Sequence, residues 1–268
     1  MRFPKQIQEA DFPELLNIIH TESREYIRVA GNCAHCSGNS EIQKLLSDDS
    51  LQQFLAISDA LFLPLKDVNY DIATLFGFED PIEEQSRLMQ SWITLGSAIE
   101  SMLQIFLAIY LNDYENSGWH KWVNFNESAV KQEIIYSLDQ LATNGALEAA
   151  HVKSLKKLVK EELKTRRDIP PLNKIMLFDL IEFYRTEVKW EQEKIDKLNS
   201  IREHRNCIHA FIPRQIGEWD ELIEALRFYC SLLLDLQSMA PDCDDMLAYE
   251  AELDAEIEGY YSSYYPGY

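Results

Sequence analysis

Apolar residues recur every three or four positions along most of this chain, the spacing of one face of an α-helix. Over 7–29, Ile7, Phe12, Leu15, Leu16, Ile19 and Tyr26 keep that period. Pro13 falls in the first turn, where its missing N–H costs little. The stretch AGNCAHCSGNS that follows is expected to be loop. One or two helices are expected over 41–62, with Asp48 or Asp49 as a cap. Between Pro64 and Pro81 the period is lost, which marks a soft boundary. The longest apolar-periodic run is 81–112, opened by Pro81 and by Glu83 and Glu84, which complement the amino-terminal dipole. From Leu95 onward it is apolar on most faces, as expected of a helix buried on several sides.

Further along, 114–126 reads as loop, with Trp119 and Trp122 closing the end of the core. A helix is expected over 127–143, capped by Asn126 and stopped by Asn144 and Gly145. The segment 146–167 is amphipathic and is expected to pack through Val152, Leu155, Leu158 and Leu163. Pro170 and Pro171 end it. The stretch 174–211 is one long helix or two, broken near 189–192. Residues 219–239 form a strong final helix with apolar residues on more than one face. The expected fold is therefore all-α: a helical accessory region over 1–80, a helical bundle over 81–240, and an acidic, Tyr-rich tail over 241–268. In that tail, 241–259 holds eight acidic residues and no basic one, and 259–268 holds five tyrosines. One short helix is expected there, over 246–258. The tail serves solubility, or lies over a cationic groove and imitates phosphates and bases.

Composition narrows the class. No run approaches the ~20 apolar residues of a membrane-spanning helix, and no apolar stretch follows the early charges as in a secretory leader. The expectation is a cytoplasmic protein with no membrane partner. The formal charge of −20 over 268 residues repels polyanions at long range. One segment runs against it, with Lys153, Lys156, Lys157, Lys160, Lys164, Arg166 and Arg167 close together. It is read either as a solvated helix face or as a rail for a phosphate backbone. Five cysteines are too few and too scattered for a disulfide framework. Cys33 and Cys36 form a single C-x-x-C around His35. A closed zinc site needs about four ligands, so a reduced loop pair is expected and no metal. No cofactor motif occurs: Gly-rich dinucleotide and P-loop patterns, H-E-x-x-H and G-x-S-x-G are all missing.

Residues 194–211, KIDKLNSIREHRNCIHAF, carry the candidate chemistry. Read as a helix, an apolar stripe begins at Ile195 and Leu198. At the same spacing it continues onto Arg202, Arg205 and His209, which then share one face. Asn206 follows Arg205 directly. His204 lies off the stripe and is expected at the surface. Glu100, inside the apolar run 81–112, either faces solvent beside Gln104 or pairs across the bundle with Arg202 or Arg205. A plain structural reading also exists: Arg and His near a helix carboxyl end offset its negative dipole.

An Arg, a polar residue soon after an Arg, and a His within about two turns resemble the signature of the HEPN superfamily. That signature is Arg, four to six residues of any kind, then His. Arg202 to His209 fits; Arg205 to His209 is one residue short. The resemblance covers roughly 85–240. It implies a HEPN-type helical bundle and a metal-independent endoribonuclease, of the kind used by bacterial toxins and antiviral systems. Two copies would pair so that both motifs face one composite cleft. His209 would move protons, and Arg202 or Arg205 would hold the phosphate and its developing charge. Asn206 would position them, Glu100 would support them, and Lys153, Lys156, Lys157 and Lys160 would contact RNA. Products would end in a 2′,3′-cyclic phosphate. The implied partners are RNA, a second copy, and an antitoxin or nucleotidyltransferase. The rival expectation is a non-catalytic helical module that binds a protein or nucleotide.

Overall fold

A computed structural model describes residues 5–65, 80–119, 127–165, 171–206 and 216–264. Among them every regular element is helical, so the fold class is all-α. The chain divides into two units, one made of 1–111 with 175–268 and the other of 112–174. The boundary expected at residue 80 falls inside the first unit, because the early helices pack on the helix that starts at Pro81.

In the first unit the order begins with α1 (Lys5–Glu9), α2 (Phe12–Cys36), α3 (Ser40–Leu45), α4 (Asp48–Ala60) and α5 (Pro81–Ile109). The chain breaks between α1 and α2 because Asp11 is an N-cap: its carboxylate accepts from Glu14 N at 2.8 Å, and Pro13 follows in the first turn. α2 runs to Cys36, through the stretch expected to be loop. Ala30, Cys33 and Ala34 are buried there, so packing outweighs the weak helix preference of Gly31 and Asn32. The cap of α4 is Ser47; Asp48 and Asp49 lie in its first turn.

α5 is the axis of this unit. It is capped by Asp80, opened by Pro81, and buried from Leu88 to Ala108 on most faces. By length and composition it could cross a membrane, yet 67% of its apolar window is buried inside the fold, as in a core helix. Two buried tyrosines fasten neighbours to it. Tyr26 donates to Met102 O at 2.8 Å, and Tyr184 to Leu103 O at 3.0 Å.

The second unit begins with α6 (Leu111–Asn116), whose first residue still belongs to the first, and continues with α7 (Glu127–Thr143) and α8 (Ala149–Thr165). α7 and α8 form a hairpin. α7 ends as expected: Gly145 takes φ +72°, Gly145 N donates to Ala142 O, and Ala146 N donates to Leu141 O at 2.9 Å. On α8, Val152 and Leu163 are buried, but Leu155 and Leu158 face outward, contrary to expectation. The inner face steps 152, 156, 159, 163, one helical row away from the expected one.

After residue 175 the first unit resumes with α9 (Leu177–Thr186), α10 (Gln192–Arg205), α11 (Trp219–Met239) and α12 (Asp244–Tyr264). The described part of the 174–211 stretch, up to residue 206, thus holds two α-helices, separated by a turn in which Lys189 adopts φ +60°. α11 is central, with Trp219, Leu222, Leu226, Tyr229, Leu233 and Leu236 among its buried residues. Arg227 on α11 holds the end of α1, donating to Ile7 O and, at 2.8 Å, to Ala10 O. The acidic segment forms a helix longer than expected, α12, docked beside α2.

Candidate functional site

The apolar stripe of α10 is real where it is described: Ile195, Leu198 and Ile201 are buried. Arg202 and Arg205 follow on it, each about a quarter exposed on the side chain, at 23% and 24%. The helix ends at Arg205, and Asn206 is its C-cap, its N–H donating to Arg202 O. His209, with Cys207 and Ile208, lies outside the described residues, as do Trp122, Arg166 and Arg167.

Glu100 does not face solvent. Its Oε2 lies 2.6 Å from Arg205 Nη1 and accepts Leu177 N at 2.9 Å. Of the partners open to it, the fold selects Arg205. Leu177 opens α9, whose own N-cap, Met176, offers no side-chain acceptor. Glu100 therefore caps a helix from another element while it anchors a guanidinium. Gln104, one turn on, donates to Ile175 O at 2.8 Å. The polar stripe of α5 thus fixes the entry to α9.

Arg202 is held differently. Its guanidinium carbon stands 5.0 Å from the centroid of the Phe178 ring, and Nη2 lies 3.7 Å from Glu203 Oε1. Its buried Nε has no hydrogen-bond partner among the described residues. Arg202 is the more weakly engaged of the two cations.

His204 is a correction. It was expected at the surface, but its ring stacks on Trp92 at 4.4 Å between centroids and 20° between planes. Its Nδ1 is buried without a partner among the described residues. Gly217, at φ +84°, lies against it: a β-carbon there would meet His204 Cε1 at 3.0 Å. Positions 197, 200, 201 and 204 share a face, and that spacing was the available signal. With Trp92, Glu221 and Phe228 they line a hollow of about 210 Å³ between α5, α10 and α11.

In the second unit, Lys156 is bound to Asp139 at 2.5 Å and Lys157 stands 3.7 Å from Glu161. Lys153 and Lys160 are exposed. No group of three or more metal-ligating side chains is assembled among the described residues.

Compared with known proteins, the chain matches no protein-family model, no curated protein and no solved structure.

Proposed function

We propose that the chain is a HEPN-like endoribonuclease that cuts RNA without a metal ion and works as a homodimer. Arg202 binds the scissile phosphate, and His209 moves the proton of the 2′-OH or of the leaving oxygen. Arg205 is a positioning residue, tied to Glu100, and Asn206 positions the arginine or His209 by a hydrogen bond. What supports this reading is the division of labour at the end of α10. Arg205 is neutralised by Glu100 at 2.6 Å, while Arg202, the residue that satisfies the signature spacing to His209, is paired among the described residues only with the exposed Glu203 carboxylate, at 3.7 Å. The all-α architecture agrees with it.

The test is cleavage of bulk RNA in EDTA by the wild type, Arg202→Ala and His209→Ala. Loss of cutting in both variants, with 2′,3′-cyclic phosphate ends in the wild-type products, supports it. Cutting that survives His209→Ala, or that requires added divalent metal, overturns it.

One observation favours a second reading, a non-catalytic helical module. The Arg205–Glu100 pair lies within one chain, so half of the cationic pair is already spent on the fold. On that reading the pure protein cuts nothing, and Arg202→Ala weakens binding of a protein or nucleotide partner instead.

A further inference from the structure

The sequence pairs Cys33 with Cys36, but the fold adds a third thiol from the other end of the chain. Cys243 Sγ lies 3.9 Å from Cys33 Sγ, across 210 residues of sequence. Cys36, one turn along α2 from Cys33, lies near the Cys243 thiol as well. All three are free thiols. They sit where α12 leaves Pro241 and meets the end of α2, and Cys33 Sγ also contacts Pro241 O at 3.6 Å.

Among the described residues, the other polar contacts between these two helices are exposed. Asp244 accepts from Arg28 and Asn32, each at 3.2 Å, and Glu250 lies 3.1 Å from His35 Nε2. Exposed pairs of this kind contribute little to stability and are screened by salt. With the thiols reduced, the acidic helix is held mainly by weak, solvent-facing bonds.

We propose that Cys33 and Cys243 form a reversible disulfide that latches α12 onto α2, with a peroxide as oxidant. The exposed edge of Cys243 is attacked first. Its thiolate takes one oxygen from the peroxide, ROOH, giving a sulfenic acid and RO⁻, which leaves as ROH after taking up a proton. The Cys33 thiol then displaces water, forming the S–S bond: two thiols are oxidised, and one peroxide is reduced to ROH and water. A dithiol reverses the change by exchange. The latch is a slow one. Burial pushes all three thiols up, Cys36 to about 11, so little thiolate is present at neutral pH. Oxidation should therefore speed up steadily as pH rises from neutral into the alkaline range. The inference does not depend on RNA being the substrate.

The experiment treats the full chain with a small excess of hydrogen peroxide, then counts thiols, maps linked peptides, and follows amide exchange in α12. The expected result is the loss of two thiols, one link between the Cys33 and Cys243 peptides, and exchange in α12 slowed ~10-fold. Cys36→Ser should still form the link; Cys33→Ser and Cys243→Ser should not. A link from Cys36, a link only between two chains, sulfinic acid without any link, or unchanged exchange after linking would overturn the proposal.

Discussion

The alkyl chain of Arg205 lies directly on Gly96. A β-carbon at Gly96 would stand 2.6 Å from Arg205 Cδ and 3.0 Å from its Cβ and Cγ. The lack of a side chain lets α10 cross α5 closely enough for the guanidinium to reach Glu100, one turn further along α5. Gly96→Ala sets two effects against each other. Alanine is favoured in a helix by ~1 kcal/mol. Overpacking costs ~1–3 kcal/mol, and Arg205 cannot swing aside without breaking its bond to Glu100. The clash should win, and Gly96→Ala should lower the urea midpoint. In an Arg205→Ala background, which removes Cδ and Cγ and leaves only the Cβ contact at 3.0 Å, the same change should cost clearly less. Equal losses in both backgrounds would refute the packing argument.

Glu100 serves two groups, so its variants should rank in a particular order. Glu100→Ala leaves Leu177 N–H without its acceptor and Arg205 without its carboxylate. A lost helix cap costs ~1 kcal/mol, and a partly buried charge left unpaired a further ~1–3 kcal/mol. Arg205→Ala should cost less, because Glu100 keeps Leu177. Glu100→Gln should fall between, since an amide oxygen can still cap α9. Chemical denaturation gives the ranking, and faster amide exchange in the first turn of α9 should mark Glu100→Ala alone. A loss in Arg205→Ala as large as in Glu100→Ala would mean that the cap contributes nothing.

The sequence carried the helices well and their partners poorly, for a physical reason. Periodicity reports one helix's own faces, so α11 and the stripe Ile195, Leu198, Arg202, Arg205 could be read from spacing alone. What a face meets depends on tertiary packing. Leu155 and Leu158 are as apolar as Val152 and Leu163, yet only the latter two are buried. Composition suggested a loop at 30–36, but burial of Ala30, Cys33 and Ala34 keeps it helical. The two alternatives for Glu100 could be named from sequence; choosing between them required knowing that Gly96 admits Arg205. Cys243 could not be joined to Cys33 by any local rule, because the contact spans nearly the whole chain.

High pH should unfold the first unit through its buried tyrosines. Burial pushes Tyr229 up to about 12, and Tyr26 and Tyr184 well above the ordinary range. In the unfolded chain a tyrosine ionises near pH ~10. The folded state then holds more protons than the unfolded one above that pH, so stability falls as pH rises. The stabilisation is intact below pH ~10 and is lost from there upward, by at most ~1.4 kcal/mol per pH unit for each tyrosine. The Cys230 thiol, also raised by burial to about 12, starts the same decline earlier, near pH ~9. Urea midpoints between neutral and alkaline pH, read beside tyrosinate absorbance, should show the fall. Tyr229→Phe, which also gives up the 3.1 Å hydrogen bond to Ser58, should start lower and fall less steeply. An unchanged slope in that variant would exclude Tyr229 from the effect.

The lysines of α8 offer a test of RNA contact that is independent of cleavage. Lys153, Lys157 and Lys160 are exposed, whereas Lys156 is held by Asp139 at 2.5 Å. If α8 follows an RNA backbone, each lysine that neutralises a phosphate releases a counterion. The logarithm of the affinity should then fall with that of the salt concentration, by ~0.7 per phosphate on a single strand. Replacing Lys153 and Lys160 with Gln should weaken binding of a single-stranded RNA and flatten that slope by up to ~1.4. Lys156→Gln should lower stability by no more than ~1 kcal/mol and leave the slope as it was. With a net charge of −20, the chain has no general attraction for polyanions to mimic this signature. A slope that is the same in all these proteins would remove α8 from the RNA surface and leave Arg202 as the cation to be tested.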